Sequence, residues 1–335
     1  MAMRSSAHNF WHTLPRPILA LAPMEGYTDS AFRSISRECG ADVVYTEFVS
    51  SDAVAHHART AFKKMEFNPA EQPVVCQIFG KDPKAFVIAA REIESKGFAG
   101  IDINLGCPAH KVVRSGTGVA LMRDPEFVKR LVAATIEAVT IPVSLKMRAS
   151  IRRERREIAP DAPERTTALD LVEALDGMPI AAIMVHGRSY EDGFGGPVDT
   201  GMIRAVKERF NGIVLANGGV TSPERAKELL EQTGADGVGI ARGALGSPWI
   251  FEQIESFTKH GHYEKIVIDR LRQIIERHAE LAYAAKGDHG IIELRKHCTS
   301  YIRGFPHASS LRSKLVRITT REELSAILDT LTDTT

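Results

Sequence analysis

The chain has 335 residues, 44% hydrophobic and 25% charged, with a formal net charge of +1. These values fit a folded globular protein with a sizeable core, and they exclude one that coats nucleic acid by bulk charge while allowing a local basic face. The four cysteines (Cys39, Cys76, Cys107 and Cys298) lie far apart with no C-x-x-C pair, and no histidines cluster at metal-ligand spacing, so reduced thiols, no disulfide framework and no metal are expected.

Residues 1–16, within MAMRSSAHNFWHTLPRP, read as an N-terminal extension without the apolar run of a signal peptide. No later stretch approaches the roughly 20 apolar residues that span a bilayer. A cytoplasmic protein without a membrane span is therefore expected. From Pro17 to Phe257, short β-branched runs alternate with segments of helical period, the pattern of repeated βα units. Eight strands are predicted, over 17–22, 42–48, 73–79, 100–105, 142–147, 180–186, 212–217 and 235–241. The caps in KDPKAF, RDPEFV and TSPERA place Asp or Ser before a proline at the first helical turn. Eight units in this span predict the α/β fold class, a (β/α)8 TIM barrel over residues 17–257. Residues 258–335 then turn helical, with amphipathic segments and a capping-box start at Thr320 and Glu323, and read as a small all-helical C-terminal domain.

In such a barrel the chemistry lies at the C-terminal ends of the strands. Those ends carry Met24 and Glu25, Glu47, Gln77, Asn104 and Cys107, Lys146 and Arg148, His186 and Arg188, Asn217 with Gly218 and Gly219, and Arg242. The glycines of LANGGV and GIARGALGSPWIF, with Arg242, suit a phosphate, because glycine lets backbone N–H groups approach an anion and arginine grips it. Lys146 reads either as a Schiff-base nucleophile or as a cation facing an electron-rich cofactor ring. Cys107, between Gly106 and Pro108 in NLGCPAHKVVRSGTG, reads as a catalytic acid or nucleophile. An ordinary thiol pKa of ~8.5 leaves it mostly protonated at neutral pH, which favours a proton donor unless a base is adjacent.

Taken in order, LAPMEGYTD, QIFGKDP, DINLGCPAHKVVRSGTGVALM, SLKMR, VHGRS, LANGGV and GIARGALGSPWIF resemble the tRNA-dihydrouridine synthases, and ELRKHCTSYIRGFP resembles their B-type bacterial branch. The resemblance covers nearly the whole chain. It implies an FMN-bearing barrel, a helical tRNA-binding domain, NADPH as reductant and tRNA as the partner; a monomer is expected. Carried over by position, Pro23, Met24 and Glu25 would line the isoalloxazine, Gln77 and Lys146 would bond its polar edge, and His186 would sit nearby. Asn217, Gly218, Gly219, Ala241 and Arg242 would hold the phosphate. Cys107 matches the family's general acid, with Asn104, Arg148 and Arg188 orienting the uracil and Arg295, Lys296 and Arg303 contacting tRNA phosphates. Hydride would reach one carbon of the uracil double bond from reduced flavin, and Cys107 would protonate the other.

The chain departs from the family pattern at four places. Ala241 stands where glycine usually precedes the arginine, Glu25 replaces a smaller residue, Thr200 stands where tryptophan is common, and SIRRERREIAPDAPER is unusually basic and is expected to touch tRNA. Two other activities fit part of the pattern: an FMN-barrel reductase of a small pyrimidine or enone, and a Schiff-base aldolase using Lys146.

Overall fold

The computed structural model describes residues 9–154, 163–303 and 308–331. Eight parallel strands close into a barrel: β1 (Ile18–Leu21), β2 (Val43–Tyr45), β4 (Val74–Phe79), β5 (Gly100–Leu105), β6 (Val143–Arg152), β8 (Ala182–Ser189), β9 (Ile213–Asn217) and β10 (Gly237–Ile240). The ring closes because β1 pairs with both β2 and β10 while β2 pairs with β4. Two short strands lie off this ring. β3 (Val49–Ser50) extends the pairing along the end of β4, and β7 (Arg165–Thr167) runs antiparallel to β6.

Side chains alternate between the two faces of each strand. On β1, Leu19 and Leu21 face the surrounding helices, while Ile18 and Ala20 join Val43, Tyr45, Val75, Ala182, Met184, Ile213 and Leu215 inside the barrel. The inner cluster includes Trp11, which is fully buried. Its short 3-10 helix, Phe10–His12, is capped by Asn9 and lies within the segment that the sequence reads as an extension. The indole therefore plugs the N-terminal end of the barrel and stacks with Phe10.

The helices start where the sequence places their caps. Asp82, Asp124 and Ser222 accept backbone N–H bonds at the starts of α4 (Pro83–Ser95), α6 (Pro125–Ala138) and α9 (Pro223–Thr233), each with proline in the first turn. The first barrel helix, α1 (Ser30–Glu38), is capped by Asp29 and carries Arg33 on its buried face.

Some boundaries differ from the sequence reading. β6 runs five residues past Met147, because its far end forms an antiparallel stem with β7 in which Ser150 faces Thr167 and Arg152 faces Arg165. The expected break at residue 257 falls inside α10 (Ile250–His260), which packs on α9 and ends at Gly261 with φ of +75°. Beyond it lie α11 (Ile268–Lys286), α12 (Asp288–Tyr301), α13 (Ala308–Leu315) and α14 (Arg321–Leu328). α11 packs on α1, and the barrel and helices meet closely. A Cβ at Gly246 would lie 2.3 Å from the Ser300 carbonyl oxygen, so only glycine lets the loop after β10 approach α12. The capping box expected at Thr320 and Glu323 forms at the start of α14.

Candidate active site at the barrel mouth

The inward-facing positions become polar toward the C-terminal ends of the strands. Gln77, Asp102, Asn104, His186 and Asn217 are all buried there, with Lys146 half-buried among them. Their hydrogen bonds run in one direction. Asp102 accepts from Gln77 Nε2 at 2.7 Å and from Ser144 Oγ at 2.7 Å. Gln77 Oε1 then accepts from Asn104 Nδ2 at 2.8 Å, and Asn104 Oδ1 accepts from the backbone N–H groups of Gly106, at 3.0 Å, and Cys107, at 2.8 Å. A carboxylate can only accept, so its presence at the head of the relay fixes both amide orientations down to the cysteine.

Sequence reasoning did not single out Asp102, although the signal was available. It stands two residues before Asn104 on a strand and must share its face. Burial raises its carboxyl pKa to about 6, against the hydrogen bonds from Gln77 and Ser144 and the charge of Lys146, all of which pull it down. Burial also lowers the Lys146 ammonium to about 8, with Asp102 opposing the fall and Arg148 assisting it. Lys146 Nζ donates to Asn217 Oδ1 at 3.2 Å, while Asn217 Nδ2 donates to the Gly239 carbonyl at 2.6 Å.

Cys107 lies past β5, part-exposed, whereas the other three thiols are buried. Its pKa is raised chiefly by burial, against an Ala109 backbone hydrogen bond and the cations Lys146 and Arg148. Burial therefore favours the protonated thiol. Asn104, expected to orient a base, has its oxygen committed to the Cys107 turn and one amide hydrogen to Gln77.

Arg148 is buried and braces the loops. Its Nε donates to the Gly106 carbonyl at 3.1 Å, and its NH1 donates to those of Ser189 and Gly193, each at 2.7 Å. Arg188 donates to the Gly196 carbonyl at 2.9 Å and faces His186 Nε2 at 3.4 Å. Burial, followed by the charges of Lys146, Arg148, Arg188 and Arg242, pushes His186 down to about 2, so its imidazole is neutral. Phe194 was not anticipated. Its 57% exposed ring lies between the guanidinium groups of Arg148, 5.6 Å away, and Arg242, 4.8 Å away.

The turn after β9 brings Gly218 (φ +117°) and Gly219 (φ +73°) beside His186. A Cβ at Gly218 would stand 2.8 Å from His186 Cδ2, so this cradle needs glycine twice over, for conformation and for space. Arg242 is exposed at the start of the 3-10 turn after β10. Ala241 has φ of −106°, outside the region that demands glycine, so its side chain is compatible with the turn.

Pro23 and Met24 are half-buried beyond β1. Glu25 is exposed and pairs with Lys64, while its charge still reaches Cys107. Thr200 opens α8 (Thr200–Arg209), whose cap is Asp199. Arg152 and Arg153 belong to the β6–β7 stem, where the Arg152 backbone N–H and the Arg165 side chain bond the two oxygens of Glu191. Arg155 and Arg156 lie outside the described residues. Arg295, Lys296 and Arg303 lie on or just after α12. Arg295 donates to the carbonyls of Ile318, at 2.7 Å, and Arg317, at 3.3 Å, Lys296 lies over the Tyr27 ring, and Arg303 is exposed.

A closed parallel barrel with a glycine cradle, a half-buried lysine and a part-exposed thiol at its C-terminal mouth defines a barrel of the enzyme class. The family model described as Dihydrouridine synthase (Dus) matches residues 20–335, and the chain belongs to this family. It is 35% identical to the tRNA-dihydrouridine synthase B of Pseudomonas aeruginosa over 92% of this chain and 90% of that one. It is 33% identical to a probable tRNA-dihydrouridine synthase 1 of Synechocystis over 92% of this chain and 84% of that one. Among solved structures, morphinone reductase in complex with tetrahydroNAD superposes with a TM-score of 0.51 at 14% identity, covering 73% of this chain and 88% of that one, which supports the barrel fold alone.

Proposed function

We propose that the protein is a flavin-dependent tRNA-dihydrouridine synthase that uses FMN and NADPH to reduce a uridine base in tRNA. The observation that carries the reading is the placement of Cys107, its backbone N–H held by the Asp102–Gln77–Asn104 relay, at a mouth that also presents Lys146 and the glycine cradle.

The residues present fit FMN. Gly218, Gly219 and Arg242, with Asn217 and Ala241 beside them, form the phosphate end, because the positive-φ turn clears the space that a Cβ would fill. Gln77, Lys146 and neutral His186 supply polar groups for a heteroaromatic ring, with Pro23 and Met24 as its apolar flank. Bound there, FMN supplies the hydride.

The chain's own residues do the rest. Cys107 Sγ–H gives its proton to the uracil carbon opposite the one that receives hydride, and burial keeps that proton on sulfur until it is needed. Lys146, a cation below about pH 8, stabilises negative charge in the mouth. Arg148 and Arg188 hold the loops that line the uracil, and Asn104 sets the backbone turn from which Cys107 reaches it. A uridine in folded tRNA leaves its stack at a cost of a few kcal/mol, which phosphate contacts from Arg303 and Lys296 offset.

The test is reduction of a modification-free tRNA transcript with NADPH, read as dihydrouridine by mass spectrometry of the digested RNA. Product on the transcript and none on free uridine is expected. Turnover of free uridine or of an enone at the rate of tRNA would favour a small-molecule reductase, and borohydride trapping of a carbonyl substrate on Lys146 would favour an aldolase.

A further inference from the structure

Outside the mouth, a second cluster joins the barrel to the helical region. Asp29 comes from the loop before α1, His278 from α11 and His297 from α12, and one donor atom of each lies within 4.8 Å of the others. Residues so distant in the chain leave no spacing signal in the sequence. Both histidines are almost fully buried, and among the described residues neither nitrogen of His297 has a hydrogen-bond partner. A buried imidazole without partners is costly and points to a ligand.

The surroundings suit a divalent cation. His278 Nδ1 lies 3.0 Å from the Tyr301 hydroxyl, which leaves its Nε2 free and resembles the outer hydrogen bond that orients metal-bound histidines. Asp29 faces the two imidazoles from the barrel side. Its partial exposure gives an ion a way in.

We infer that Asp29, His278 and His297 form a divalent metal site, selective for zinc-like ions, that clasps the helical region to the barrel. Two imidazoles and one carboxylate are a common zinc donor set that leaves a fourth position for water. At bonds of about 2.0–2.2 Å a tetrahedral ion holds its ligands roughly 3.5 Å apart, so the donors converge by about 1 Å. The His297 ring turns for this without breaking any hydrogen bond. Lys286 is the competing cation. It bonds Asp29 at 3.0 Å and Glu293 at 2.5 Å, and it keeps Glu293 when the ion takes Asp29. The other nearby charge is Lys296, which lies over the Tyr27 ring that meets His297 edge-on. The proposal is independent of what the barrel mouth binds.

The test is zinc content of the full-length holoprotein by mass spectrometry, after incubation with Zn2+ and removal of excess, together with its thermal midpoint. The wild type is expected to retain about one equivalent and to melt several degrees higher with Zn2+. His297→Gln should retain roughly tenfold less, and so should Asp29→Asn, which preserves the helix cap and guards against a folding defect. Cys107→Ala should bind as the wild type does. Retention below about 0.1 equivalent by the wild type, equal retention by the wild type and both site variants, or loss of zinc with Cys107→Ala overturns the site and leaves the cavity to buried water.

Discussion

Two cations withdrawn from solvent, Arg33 under α1 and Lys146 at the barrel mouth, are treated in opposite ways. Arg33 is 1% exposed and bonds Glu71 at 2.5 Å, the Thr28 carbonyl at 2.7 Å and the Glu66 carbonyl at 2.7 Å. Glu71 is itself enclosed by Ser30, Ser34 and the Asn68 backbone N–H. Among the described residues Lys146 makes a single hydrogen bond, to an amide, and the acid below it accepts from Gln77 and Ser144 instead. Around Arg33 nearly every donor is matched inside the chain, so the charge is scaffold. Around Lys146 the protein leaves capacity for something that is not protein.

That contrast breaks first at the thiol. Cys107→Ala should lower turnover of tRNA roughly 10²–10⁴-fold while flavin remains bound, as read by single-turnover reoxidation and the visible spectrum. The scaffold pair should do the reverse. Glu71→Ala leaves Arg33 charged and uncompensated, and should lose about 3–5 kcal/mol of stability in urea unfolding, with activity per folded molecule unchanged.

Lys146→Met should lower turnover tenfold or more by removing charge stabilisation, and it also tests the sign of a pH effect. The lysine titrates near 8 when folded, against about 10.4 when unfolded, so the unfolded chain holds the extra proton between these values. Wild-type stability therefore gains a contribution as pH rises through that window, and the variant should lack it in denaturant melts at pH 7 and 10. A smaller effect is expected for Gly218→Ala, which should cut flavin retained on purification several-fold by crowding His186. Smallest of all, Arg303→Ala should reduce the salt slope of tRNA binding by about 1.

The barrel was legible because each strand announces itself locally. Gly100–Leu105 forms the strand that its β-branched run predicts, and the caps at Asp82, Asp124 and Ser222 work as read. The far end of β6 was less so, because Ser150–Arg152 pairs with Arg165–Thr167, a partner distant in the chain that periodicity does not see. At the mouth, residue types were readable and their employment was not. Asn104 and Arg148 carry groups that suit a base, yet most of the bonds recorded for them go to backbone. Arg295 likewise turns toward the carbonyls of Ile318 and Arg317. Asp102 was hidden inside an apolar-looking strand, and Phe194 inside a glycine-rich loop. Such assignments depend on which neighbours fold brings within hydrogen-bonding distance.

Trp11 gives the catalytic cycle a traffic rule. With the indole filling the N-terminal end of the barrel, the mouth is the remaining doorway. Under the proposed function, a bulky RNA and a dinucleotide reductant both enter there and are expected to take turns. Initial rates measured against each reactant at several fixed levels of the other should then give parallel double-reciprocal lines, the kinetic mark of two visitors that never share the room.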